Sequence, residues 1–133
     1  MADSRPPALS CEALIVDDLA AERERMQAIL QEAGHRVRTA MSGTQALEAA
    51  RLDPPDIIFM DIVMPGMDGF EACRRLAEDP RTRAIPVVFV STKSQRADQV
   101  WARMQGGREL IAKPYAPEHL LAAIERHAAG VAR

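Results

Sequence analysis

Short apolar runs alternate along the chain with segments whose apolar residues return every three or four positions, and this pattern predicts strands interleaved with helices. The strands are expected at residues 12–16, 36–39, 57–60, 87–90 and 109–112, and the helices at 19–33, 43–52, 69–78, 95–105 and 117–128. The third and fourth runs, Ile57-Ile58-Phe59-Met60 and Val87-Val88-Phe89-Val90, carry no polar residue and should be the most central. Strand and helix in strict turn argue for an α/β fold, a parallel sheet covered on both faces.

Local signals set the boundaries. Gly34 closes the first helix, Ser42 caps the second, and Pro54-Pro55 stops it because proline has no amide hydrogen and a fixed φ. Pro80 lies just past the third helix, Gly106-Gly107 ends the fourth, and Pro117 suits the first turn of the fifth. The inward stripes expected from spacing are Leu19, Met26, Ile29, Leu30 and Ala33 on the first helix, and Phe70, Cys73, Leu76 and Ala77 on the third. On the fourth they are Ala97, Val100, Trp101 and Met104, and on the fifth Leu120, Leu121 and Ile124.

A length of 133 residues fits one domain able to bury about two-thirds of its unfolded surface, without a disulfide or structural metal. Residues 1–11, with Pro6-Pro7 and no periodicity, are expected to be a flexible leader, residues 12–129 the domain, and residues 130–133 a short tail. With 17 Lys and Arg against 19 Asp and Glu, the net charge of -2 supplies no basic stripe, which argues against direct nucleic-acid binding. No signal-peptide pattern and no run approaching ~20 apolar residues occurs, so a cytoplasmic protein without membrane insertion is expected. Cys11 and Cys73 match no zinc spacing and read as packed or incidental thiols. His35, His119 and His127 are scattered and read as surface or packing residues.

Chemistry concentrates at strand ends. The apolar third strand runs into Asp61, and desolvation places that carboxylate at the strand's lip, where partners can reach it. The first strand ends in Asp17-Asp18, the fourth in Ser91-Thr92, and the fifth in Lys113-Pro114. In an open parallel sheet these ends share one edge, where ligands bind. Three carboxylates there suit a hard divalent ion such as Mg²⁺, and a metal that relieves their repulsion leaves Asp61 ionised and able to attack phosphorus. Lys113 supplies a cation for the transferred oxygens and the Ser91 hydroxyl a hydrogen bond. Gly66 and Gly69, flanking Met67-Asp68, permit a sharp loop beside Asp61. A cis bond before Pro114 would make a tight turn at Lys113.

The blocks Ile15-Val16-Asp17-Asp18, Met60-Asp61-Ile62-Val63-Met64-Pro65-Gly66-Met67-Asp68-Gly69, Ile85-Pro86-Val87-Val88-Phe89-Val90-Ser91-Thr92 and Lys113-Pro114-Tyr115 stand in order and spacing. On these the chain resembles a response-regulator receiver domain of the CheY-like superfamily from Glu12 to Ala128. The resemblance implies a doubly wound, flavodoxin-like sheet of order 2-1-3-4-5 with five helices. It implies that Asp61 is the phospho-acceptor, that Asp18, Asp61 and the Val63 carbonyl ligate Mg²⁺ directly with Asp17 acting through water, and that Ser91 and Lys113 contact the phosphoryl group. The donor implied is a histidine kinase. The chain would be no turnover enzyme, but a signalling acceptor that phosphorylates itself from small donors and dephosphorylates itself with Mg²⁺.

Ser91-Thr92-Lys93, Asp98-Gln99-Val100-Trp101 and Gln105-Gly106 further resemble single-domain regulators of type IV pilus twitching motility, the PilH-like group. That implies a chemotaxis-like kinase and a downstream motility or signalling protein. One departure is Leu110, three residues before Lys113, where the family usually has an aromatic residue. Serine at position 91, where threonine is commoner, keeps the hydroxyl.

A doubly charged phosphoryl group on Asp61 should draw Ser91 and Lys113 inward and alter the surface of the fourth helix, fifth strand and fifth helix, with Gln99, Arg103 and Leu110 facing the partner. Output is expected from the domain's own surface. The alternative is a constitutive interaction module that keeps the fold without phosphorylation, against which the complete acid, hydroxyl and lysine set argues. A hydrolase of the haloacid-dehalogenase type has its nucleophile on the first strand and an Asp two residues later, whereas Val63 follows Asp61 at that distance. No Gly-x-Gly-x-x-Gly follows the first strand, which argues against dinucleotide binding.

Overall fold

The computed structural model describes residues 10–128. Ten elements alternate: β1 Glu12–Val16, α1 Ala20–Glu32, β2 Arg36–Ala40, α2 Gly43–Leu52, β3 Ile57–Met60, α3 Gly69–Glu78, β4 Val87–Ser91, α4 Arg96–Met104, β5 Glu109–Ala112 and α5 Pro117–His127. Every strand pairing is parallel and the order is β2-β1-β3-β4-β5, the doubly wound architecture expected from the sequence.

The two-residue period of the strands divides the core into two layers. Ala13, Ile15, Ile57, Phe59, Val88 and Val90 pack with Met26 and Leu30 of α1 and Leu120, Ala123 and Ile124 of α5. Leu14, Val16, Ile58, Met60, Val87 and Phe89 point the other way, onto α2, α3 and α4. Both faces being covered, β1, β3 and β4 are buried almost throughout, which is why their sequences read as unbroken apolar runs.

The caps follow local chemistry. Ser42 Oγ accepts from the Gln45 amide at 3.1 Å, and Asp68 Oδ1 accepts from the Glu71 amide at 2.9 Å. Gly34 and Gly106 take φ of +98° and +102° just past α1 and α4, a conformation that costs glycine little. Of the leader expected over residues 1–11, only Ser10 and Cys11 are described: Ser10 Oγ donates to the Gly34 carbonyl at 3.0 Å, and Cys11 is buried. The tail expected at residues 130–133 lies outside the described residues. Among the described residues no helix is long and apolar enough to cross a membrane.

Three helical stripes differ from expectation. Leu19 precedes α1 as its N-cap and is 56% exposed, so α1 is anchored by Met26 and Leu30. On α3 Ala77 is exposed and Ala72 is buried in its place. The largest correction concerns α4, where Ala97, Val100, Trp101 and Met104 face outward and only Ala102 of the helix proper is buried. Its inward face is built from small and polar groups: Ala102, the Gln105 amide, whose Oε1 accepts from Arg74 Nη1 at 2.8 Å, and Gly107 just beyond. A Cβ on Gly107 would fall 2.5 Å from Phe89 Cε2, so the Phe89 ring already fills the space that a large α4 side chain would need.

Candidate functional site

The sheet brings four strand ends to one edge, and hydrogen bonds fix their relative heights. The Asp61 amide donates to the Val16 carbonyl at 3.0 Å, the Asp17 amide to Ala40 at 3.2 Å, and the Lys113 amide to Ser91 at 3.0 Å. Residues 17, 61, 91 and 113 are thereby held where their strands run out.

Lys113 ties the acids together. Its ammonium donates to Asp17 Oδ2 at 2.9 Å and to Asp61 Oδ2 at 3.0 Å, and lies 3.5 Å from Glu22 Oε1 of α1. Burial works against the charged ammonium, but the hydrogen bonds to Asp17 and Asp61 outweigh it and hold the lysine's pKa above its ordinary value. Asp17 is fully buried, and desolvation pushes its carboxyl up, opposed by the Leu19 amide on Oδ1 at 3.0 Å and by Lys113. Asp61 keeps a narrow opening to solvent, 6% of its surface. Its Oδ1 accepts from the Ile62 amide at 2.6 Å and the Val63 amide at 3.3 Å, which leaves the carboxylate oriented by its own loop.

That loop is as sharp as its glycines allow. Gly66 has φ of +74°, and the Gly69 amide returns to the Ile62 carbonyl at 2.8 Å, so close that a Cβ on Gly69 would sit 2.2 Å from the Asp61 carbonyl oxygen. Val63 is exposed on the outer side of the loop. The Lys113–Pro114 peptide is cis.

Asp18 stands apart from the lysine cluster: it is half-exposed, and the ammonium's acceptors are Asp17 and Asp61. Among the described residues no three His, Cys, Asp or Glu side chains gather as a metal-ligand set. Backbone oxygen and water would complete the shell of a cation held at this edge. Ser91 is buried, and its Oγ accepts from the Lys93 amide at 3.1 Å, a bond within its own loop. Gln99 and Arg103 are exposed on α4, whereas Leu110 is half-buried against the core.

Spacing alone missed two acidic-site neighbours on α1. Arg23 Nη1 donates to the Asp17 carbonyl at 2.8 Å, and Glu22 faces Lys113. Both lie in the first turn after Asp17-Asp18, which is the only sequence signal they carry. Beside them a cavity of ≈ 170 Å³ is lined by Glu22, Arg25, Thr92, Lys113, Pro114 and Tyr115. Burial pushes the Tyr115 phenol up, Glu22 adds to the shift, and Arg25 and Lys113 oppose it. The histidines are engaged elsewhere: His35 Nδ1 accepts from the Cys11 amide, His119 Nδ1 from the Ala116 amide, and His127 Nε2 lies 2.6 Å from Glu109 Oε2.

Comparison with known proteins agrees with this geometry. The response regulator receiver domain profile matches residues 13–125. The chain is 45% identical over 117 residues to protein PilH of Pseudomonas aeruginosa, covering 88% of this chain and 97% of PilH. It is 32% identical over 114 residues to PilG of the same organism, covering 86% and 84%. The solved structure of the Vibrio cholerae chemotaxis protein CheY4 superposes with a TM-score of 0.83 at 30% identity, covering 89% of this chain and 98% of that one. By its strand order, by the acids and lysine at one sheet edge and by these likenesses, the chain belongs to the response regulator receiver domain family.

Proposed function

We infer that the protein is a single-domain response regulator that accepts a phosphoryl group on Asp61 from a histidine kinase. The observation that carries this reading is Lys113, whose ammonium bridges Asp17 at 2.9 Å and Asp61 at 3.0 Å and so marks Asp61 as a near-buried carboxylate with a cation already beside it. An Asp61 oxygen attacks phosphorus as the bond to the donor's imidazole nitrogen breaks. The electron pair leaves with the nitrogen, and Asp61 becomes an acyl phosphate. Lys113 turns from the carboxylates to the new phosphoryl oxygens, and the Ser91 hydroxyl gives up the Lys93 amide to donate to one of them. Hydrolysis by water restores Asp61.

The oxygen-only donor set suits Mg²⁺, which keeps several waters and is satisfied by one or two carboxylates. Asp18, Asp61 and the Val63 carbonyl would hold it directly and Asp17 through water. When bound, Mg²⁺ neutralises the charge that Asp61 and the phosphoryl oxygens bring together. Output goes through α4, β5 and α5, with Gln99, Arg103 and Leu110 on the surface read by the partner. The likeness to PilH and PilG supports a chemotaxis-like kinase and a cytoplasmic role in type IV pilus or related motility.

The test is labelling from acetyl phosphate and from candidate kinases. Wild-type protein should label on Asp61 only with Mg²⁺, and Asp61→Asn should lose labelling while keeping its fold. Labelling that survives Asp61→Asn, or that is indifferent to EDTA, overturns the assignment and favours a module that works without phosphorylation.

A further inference from the structure

The cavity beside the acidic site has the makings of a subsite. It is many times the about 10–15 Å³ that one water requires, so a single bridging water does not fill its ≈ 170 Å³. Tyr115 is 6% exposed, lines this space, and its Oη is buried with no hydrogen-bond partner among the described residues. A buried hydroxyl left unpaired costs free energy that a ligand can return. The Arg25 guanidinium lies over the Tyr115 ring, 5.2 Å from its centroid, and its interaction with the phenol falls short of a well-formed hydrogen bond to Oη. Thr92 also lines the space.

Charge decides the ligand class. Glu22 lies 3.5 Å from Lys113, and that lysine is shared with Asp17 and Asp61, so the acid and the lysine largely answer one another. Among the described residues no carboxylate pairs with Arg25, the remaining cation on this wall. Lys113 belongs to both places, touching Asp61 at 3.0 Å and lining the cavity. A molecule whose phosphoryl group lies against Lys113 and Asp61 can extend its remainder toward Arg25, Thr92 and Tyr115.

We propose that this cavity is a leaving-group subsite for small acyl phosphates, in which Arg25 and the Tyr115 hydroxyl bind the carboxylate released when phosphorus passes to Asp61. The inference rests on the reading of Asp61 as acceptor. In the step the Asp61 oxygen–phosphorus bond forms and the bond between phosphorus and the acyl oxygen breaks. The electron pair goes to that oxygen, and the new carboxylate accepts hydrogen bonds from the guanidinium and the phenol. Negative charge grows on the leaving oxygen in the transition state, so these donors raise the rate as well as binding.

Two donors with different leaving groups make the test. Acetyl phosphate releases a carboxylate, whereas phosphoramidate releases neutral ammonia and has nothing for Arg25 to hold. Labelling rates of the full chain with Mg²⁺ are compared for wild type, Arg25→Gln, Arg25→Lys and Tyr115→Phe. Arg25→Gln should slow acetyl phosphate about tenfold, the size of one charge-assisted hydrogen bond, and leave phosphoramidate within about twofold. Tyr115→Phe, which keeps the ring, should show the same selectivity on a smaller scale, and Arg25→Lys should restore part of the lost rate. Equal slowing of both donors, or no change with either, overturns the subsite. Failure of the wild-type chain to label from either donor overturns the subsite, and failure to label from candidate kinases as well removes Asp61 as acceptor.

Discussion

At the scale of single residues, what matters about Asp61 is how little room surrounds it. Its Oδ1 is held by two amides of the following loop, its Oδ2 by Lys113, and its own carbonyl by the tight return of the chain at Gly69. A Cβ at Gly69 would meet that carbonyl at 2.2 Å, with backbone rather than a flexible side chain on the other side. Gly69→Ala should therefore move the loop and cost about 1–3 kcal/mol of stability, as overpacking does elsewhere. It should also slow labelling of Asp61, because the carboxylate's amide donors sit on the displaced segment. Chemical denaturation together with the labelling rate checks both, and a variant unchanged in both would mean that the loop yields freely. Asp17, Asp61 and Lys113 were legible in the sequence because each stands at the end of a strand's apolar run, and Gly69 because it closes, with Gly66, the short loop after Asp61. Glu22, Arg23 and Arg25 were not. Where a helical side chain points depends on the rotation of the helix about its axis, and nothing local fixes that for a helix with no large apolar residue before Met26.

At the scale of elements, α4 shows the same limit from the other side. The ranges of β1, β3, β5, α2 and α3 follow the apolar runs and caps without error, since desolvation and capping are local matters. The inward face of α4 did not follow, because spacing identifies an apolar stripe and not the surface against which it packs. Here Phe89, edge-on to Phe70 with ring centroids 5.3 Å apart, occupies the space under the helix, and only Ala102 and Gly107 are small enough to approach it. Trp101 at 48% and Met104 at 66% exposure are left outside. Trp101→Gln should accordingly change stability by no more than about 1 kcal/mol, while Ala102→Leu, which adds volume in a filled space, should cost about 1–3 kcal/mol. Urea titrations of the two variants order them. The reverse order would restore the inward stripe expected from spacing. This exposed apolar stripe adjoins Gln99 and Arg103, on the surface proposed above for output.

At the scale of the whole molecule, the parallel sheet separates two apolar layers, and each holds one cysteine. Cys11 packs with α1 and α5 beneath one face, and Cys73 with α2 and α3 beneath the other. Burial pushes each thiol up to about 12, with the Asp56 and Glu12 carboxylates adding to the shift at Cys11 and Arg74 opposing it at Cys73. The thiolate is the nucleophile, so at pH 8 very little of either thiol is in the reactive form, and both are buried in the folded chain. A thiol reagent thus reports opening of the layer around its cysteine. The sheet is common to both layers, and removing the packing on one face exposes strands whose other face must then bear the whole sheet. A domain of this size should open both layers in one transition. Cys11→Ser and Cys73→Ser each leave a single reporter, and their labelling at pH 8 in increasing urea should follow one curve once the small difference in variant stability is allowed for. Labelling of Cys11 at urea concentrations where Cys73 is still protected would show that the α1/α5 layer opens by itself. The site would then lie on a less stable layer, since Lys113 and the cavity walls from α1 and the β5–α5 turn belong to that side.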